Sequence, residues 1–154
     1  MVHIPEDVEQ WDFGLLANLV HEGYDENETL EFKSVLNEST HRIPKTACAF
    51  ANTKGGFLVF GINNDRTKEL TFEQRLMGLD DSDQLKRNII DQIQNIKPSI
   101  PIDNLIFKKS NIKLPNNKVS VILKILKTTV GPHQYDHIFY KRISNGNEPR
   151  VLMK

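Results

Sequence analysis

The stretch Thr46-Ala47-Cys48-Ala49-Phe50-Ala51-Asn52-Thr53-Lys54-Gly55-Gly56-Phe57-Leu58-Val59-Phe60-Gly61-Ile62 decides the fold. Its small residues, with an apolar stripe at Ile43, Ala47, Phe50 and Ala51, predict a helix that carries Pro44 in or near its first turn. Gly55 reads as a left-handed C-cap and Gly56 as a tight entry into a strand. Phe57 to Ile62 is a nearly continuous apolar run, the pattern of a central strand covered on both faces.

Upstream, Leu30 and Phe32 alternate with Glu31 and Lys33, as in a strand that buries one face and shows the other. Glu31 and Lys33 therefore share a face. Before them, Pro5, Glu6 and Asp7 open a helix with the stripe Val8, Trp11, Leu15, Leu16, Leu19 and Val20, stopped by Gly23. Downstream, Asn63-Asn64-Asp65 is turn chemistry and residues 66 to 81 look irregular. Asp81 or Ser82 then caps a third helix whose inward residues are Leu85, Ile89, Ile90, Ile93 and Ile96, ended by Pro98. Strands are expected at 105–107, 119–126 and 138–143, the first two forming an antiparallel hairpin around Pro115-Asn116-Asn117. The order implies an α/β (α+β) class: a mixed β-sheet with about three helices and a C-terminal antiparallel hairpin.

A chain of 154 residues fits one domain spanning 1–154, large enough to bury roughly two thirds of its unfolded surface without staples. The single cysteine, Cys48, lies among alanines, so no intramolecular disulfide is available and a cytoplasmic setting is expected. No run approaches the roughly 18 apolar residues of a membrane span, and no signal peptide is expected. Zero net charge hides a division. Residues 1–96 carry nine Lys or Arg against seventeen Asp or Glu, and residues 97–154 carry eleven against three. The first thirty-one residues hold nine acids and no Lys or Arg, so phosphate would meet repulsion there unless a divalent cation intervened. The basic C-terminal third is the better phosphate-facing candidate: Lys108, Lys109, Lys113, Lys118, Lys124, Lys127, Lys141, Arg142 and Arg150, with Lys54 at the glycine turn. Tyr135, Phe139 and Tyr140 stand close enough to Lys141 and Arg142 to suggest base stacking. His133 and His137 are four apart but come after Pro132, and no structural zinc site is expected.

Glu31-Phe32-Lys33, the Ala49-Phe50-Ala51-Asn52-Thr53 segment with Gly55-Gly56, the strand ending in Gly61, and Phe139-Tyr140-Lys141-Arg142 together resemble the Schlafen-AlbA domain. That domain occurs in Schlafen proteins and in bacterial and archaeal transcriptional regulators and RecG-related proteins. The resemblance implies nucleic acid, DNA or RNA, as partner. In Schlafen nucleases two glutamates lie five residues apart, the second beginning Glu-Phe-Lys, and an aspartate stands three residues after the strand-ending glycine. Glu26 and Glu31 match that spacing. Asn64 stands at the third position, and Asp65 is one residue late. The Schlafen zinc site has no counterpart here, which places the chain nearer the bacterial and archaeal members.

Two readings of that region stay open. In one, Glu26, Glu31 and Asp65 hold Mg²⁺ or Mn²⁺ and Lys33 stabilises developing charge, giving a divalent-metal-dependent tRNA or rRNA endonuclease. In the other, Glu26 is a solvated loop residue and Glu31 pairs with Lys33 on an exposed face. The Lys54 turn lacks the Gly-x-x-x-x-Gly-Lys-Ser/Thr order of a nucleotide loop, since its glycines come after the helix. The favoured function is a nucleic-acid-binding domain, expected to be DNA-binding in a transcriptional-regulator or defence context, without cofactor. The nuclease is the alternative. A protein-interaction or self-association module, a homodimer with acidic face against basic face, is the third. The domain is also expected to be able to form the N-terminal part of a longer protein.

Overall fold

The computed structural model of the chain describes residues 2–23, 26–36, 41–64, 69–143 and 146–150. Among the described residues, two sheets and four α-helices surround two apolar cores. The helices are α1 (Phe13–His21), α2 (Arg42–Asn52), α3 (Phe72–Arg75) and α4 (Leu85–Ile93). The first sheet has the order β1 (Leu30–Lys33), β2 (Gly56–Phe60), β6 (Val119–Ile125), β4 (Leu105–Phe107), with β5 (Ile112–Lys113) also on β6. The second is β3 (Ile96–Lys97), β7 (Gln134–Tyr135), β8 (Ile138–Ile143), β9 (Gly146–Arg150). The first sheet is mixed because β1 and β2, joined through α2, run parallel while β6 and the strands on its far edge are antiparallel.

Period-two alternation sorts the first sheet's side chains. Leu58 and Phe60 of β2 join Val121, Leu123 and Ile125 of β6 under α2 and α4. Phe57 and Val59 join Leu30, Phe32 and Ile122 beneath α1 and Trp11. Each large apolar side chain so buried contributes about 1.5–3 kcal/mol. Leu30 and Phe32 face the α1 side, so Glu31 and Lys33 point to the α2 side. All four β1 residues are buried, which corrects the expected exposed face. The reason is β8, whose sheet folds over α2 and covers that side. Asn52 ties the two layers: its amide donates to the carbonyls of His133 (2.9 Å) and Tyr140 (3.0 Å), and its Oδ1 accepts from His133 N (2.8 Å).

The expected first helix is broken in two. A 3₁₀ turn at Val8–Gln10 precedes α1, whose N-cap is Asp12, accepting from Leu15 N at 2.8 Å. The expected cap of the third helix lies too early. Ser82 Oγ takes Gln84 N, and the helix begins at Leu85. Within the region expected to be irregular, Thr71 and Gln74 close a reciprocal capping box on the four-residue α3. The hairpin turn at Asn116-Asn117 does not project, because Asn116 Nδ2 donates to Met77 O at 2.9 Å.

Gly55 and Gly61 are required by close approach. Gly55 has φ +75°, and a Cβ there would stand 2.6 Å from Ile125 O. Gly61 has φ +92°, and its Cβ would meet Val119 O at 2.9 Å and Gly78 Cα at 3.1 Å. Gly61 N also donates to Lys33 O at 2.6 Å, which locks the end of β1 to the turn that carries Asn63 and Asn64.

Candidate nucleic-acid interface

At the carboxyl end of β1, a cleft of about 310 Å³ is lined by Glu26, Phe32, Lys33, Arg42, Asn63 and Asn64. Topology assembles it. Parallel β1 and β2 place Lys33 beside Phe60, and the Gly61 turn brings Asn63 and Asn64 across the same end. The first turn of α2 supplies Arg42 from above.

Behind the cleft lies Glu31, fully buried. Its Oε1 accepts from Arg142 Nη1 at 2.7 Å, with Arg42 Nη2 at 4.0 Å. Its Oε2 accepts from Thr46 Oγ1 at 2.7 Å and faces Lys33 Nζ at 3.2 Å. Burial alone raises the Glu31 pKa and is the largest single effect. Lys33, Arg142 and the Thr46 hydroxyl together outweigh it and hold the carboxyl below its ordinary value, so Glu31 is ionised. Arg142 is held with equal completeness. Its guanidinium donates to Asn27 O (2.9 Å) and Leu30 O (3.0 Å), stands 4.9 Å over the Phe50 ring, and its backbone N donates to Thr53 Oγ1. Glu26 is buried rather than solvated, and its Oε2 accepts from Phe32 N at 3.1 Å.

A divalent cation needs several oxygens converging at about 2.0–2.6 Å. Here both Glu31 oxygens and Oε2 of Glu26 accept from donors of the chain, and the Lys33 ammonium stands at the Glu31 carboxylate. Asn64 Oδ1 is buried without a hydrogen-bond partner among the described residues. Among the described residues no group of three or more His, Cys, Asp or Glu could hold a metal ion. The described carboxylate oxygens at this end of β1 are thus engaged by donors of the chain itself. Asp65 lies outside the described residues.

The other basic candidates are distributed differently. Lys54 Nζ meets Glu28 at 2.7 Å, Lys118 meets Asp80 at 2.7 Å, and Lys124 meets Glu6 Oε2 at 3.2 Å and Glu6 O at 2.6 Å. Lys108 Nζ lies 3.7 Å from Glu9, which also accepts from Lys109 N at 2.9 Å. Lys109, Lys113 and Lys141 are exposed, whereas Arg142 points inward. Lys141 and Arg142 alternate across β8, so only one of that pair faces outward. Of the stacking candidates, Tyr140 is buried and Tyr135 and Phe139 are half-buried. His133 is buried, its Nδ1 bonded to Pro98 O at 2.7 Å and its Nε2 to Thr128 Oγ1, an arrangement that uses both ring nitrogens structurally.

Sequence reasoning did not single out Thr46 or Arg42, nor the pairing of Arg142 with Glu31. A threonine in an otherwise small apolar helix face was the available signal for the first. The Arg142 pairing spans 111 positions and left no local signal.

No helix among the described residues is long and apolar enough to cross a membrane. No curated protein matches the chain. The family model described as Schlafen, AlbA_2 matches residues 26–151, a range that holds Glu26, Glu31, Arg42, Thr46, Asn64 and Arg142 together. The chain belongs to the Schlafen, AlbA_2 family, consistent with a nucleic-acid-related function.

Proposed function

We propose that this domain binds nucleic acid, DNA or RNA, through its phosphate backbone at the β1–α2 cleft, without cleaving it. One observation carries the reading: Glu31 is already neutralised within the chain. Among the described residues, Lys33, Arg42 and Arg142 set three cations against the two carboxylates of Glu26 and Glu31, so this part of the cleft and its floor is net basic. A net-basic concavity with a half-exposed arginine at its lip attracts a phosphodiester and repels a free divalent ion. Arg42, 40% exposed, is the side chain best placed to leave its 4.0 Å contact with Glu31 for a phosphate. Lys109, Lys113 and Lys141 add exposed charge along the strands. Lys54, Lys108, Lys118 and Lys124 contribute less, each being paired with a neighbouring carboxylate.

The test is a gel shift with labelled tRNA, single-stranded DNA and duplex DNA, in Mn²⁺ or in chelator, over a range of salt. The expected result is a salt-sensitive shift with intact nucleic acid in both conditions. Arg42→Glu weakens binding and reduces the log–log salt slope by about 1. Mn²⁺-dependent cleavage that disappears in Glu31→Ala would overturn the reading in favour of the endonuclease.

A further inference from the structure

A second cleft, of about 500 Å³, opens beside the same first turn of α2. His41, Lys45, Asn95, Tyr135, Asp136 and Tyr140 line it. The rings of His41 and Tyr135 stand 6.2 Å apart with 37° between their planes, and Lys45 Nζ lies 6.0 Å from the centre of the Tyr140 ring. Tyr135 is fixed by a two-residue hairpin. It pairs with Ile138 across a turn in which Asp136 and His137 both take left-handed backbone, φ 53° and 66°. Glycine would relieve that turn. The chain instead places a carboxylate there, and that carboxylate lines the cleft. Burial first, and then the charge of Asp136, raise the Tyr135 pKa above its ordinary 10, so its phenol is a neutral donor at pH 7.

Aromatic faces, an ammonium, and amide and carboxylate edges in a cavity of this size suit a flat heteroaromatic ring bearing hydrogen-bonding edges. The rings supply stacking, Asn95 and Asp136 supply partners for the edge, and Lys45 supplies charge for an attached phosphate. His41 and Arg42 are consecutive, with Cα atoms about 3.8 Å apart, and they line the two clefts separately. The chain link between the clefts is thus His41, whose ring stands 6.2 Å from that of Tyr135 and whose next residue is Arg42. We infer that the second cleft takes an unpaired nucleobase of the strand whose phosphate sits in the first, so that the domain selects unpaired over paired nucleotides. This rests on the nucleic-acid reading above. A base inside a duplex has its edge occupied and both faces stacked, and it cannot enter.

The experiment is fluorescence anisotropy on the intact chain with three short probes: a single strand, the same strand with abasic sites at its centre, and its duplex. The single strand should bind about 5- to 150-fold more tightly than the abasic strand, and the duplex should bind like the abasic strand. Tyr135→Ala erases the difference, and Tyr135→Phe keeps it. Equal, salt-sensitive affinity of the wild-type chain for base-bearing and abasic strands would overturn the base cleft and leave the phosphate reading standing. Binding of no probe at any salt would overturn both. A Tyr135→Ala variant that keeps the preference also overturns it, and if that variant does not fold, the wild-type comparison decides.

Discussion

At the scale of single residues, the centre of the molecule is one ion pair whose partners come from β1 and β8. Removing Arg142 would strand an ionised Glu31 in the interior and take donors from the Asn27 and Leu30 carbonyls. Truncating one partner of a buried pair costs about 3–5 kcal/mol, so Arg142→Ala should lower the urea midpoint by a corresponding amount. Arg142→Lys should recover only part, because one ammonium cannot reproduce a planar fork that reaches a carboxylate and two carbonyls. The same pair sets a pH dependence. The folded-state pKa of Glu31 lies below its ordinary value of 4.5. Its stabilising contribution is therefore complete above that value and is lost as pH falls through the lower folded-state pKa. Glu31→Gln should flatten the fall in stability below pH 4.5, read as a smaller difference in urea midpoint between neutral and acid conditions. An unchanged acid profile would mean that other carboxylates govern acid unfolding.

At the scale of elements, α2 organises the domain from both ends. Its N-terminal turn separates the two clefts, and its C-terminal end is closed by glycines packed against β6. Gly55 cannot take a side chain without a left-handed strain of roughly 1–3 kcal/mol and a Cβ driven against Ile125 O. Gly55→Ala should therefore destabilise the chain by at least about 1 kcal/mol in chemical denaturation. Affinity per folded molecule should stay unchanged, since these glycines serve packing and stand at the helix end away from the cleft. Loss of affinity at full stability would return the Lys54 turn to the interface. The α2–β2 unit was legible because its signals are local: a small apolar stripe, a double glycine and an uninterrupted apolar strand. The break at Asp12 and the short α3 were not, because a single carboxylate cap and a capping box interrupt apolar patterns that read as one helix or as none. The Glu31-Lys33 face was legible as a shared face, but its burial was not. The covering layer is β8, more than a hundred residues away, and nothing in the spacing of β1 reports what folds over it.

At the scale of the whole molecule, the opposition between an acidic N-terminal part and a basic C-terminal part has an internal counterpart. Glu6 reaches Lys124 on β6, Glu9 reaches Lys108 beyond β4, and Glu31 reaches Arg142 on β8. The acids of the first segment thus lie on the same body as the lysines that a second copy would otherwise seek. The exposed pairs are individually weak, about 0–1 kcal/mol each, yet each lowers the net field that its lysine presents outward. A dimer built on the charge division would have to break these contacts and would gain only similar ones in exchange. Light scattering at rising protein concentration, in low and in high salt, should therefore return the mass of one chain throughout. The charge division would count as an intermolecular device if the mass rose with concentration and fell again as salt screened it over a Debye length of about 10 Å at 0.1 M. Those same screened lysines should then be the ones whose reversal to Glu changes the mass. Reversal of Lys108 or Lys124 in a monomer should instead cost only the local contact with Glu9 or Glu6.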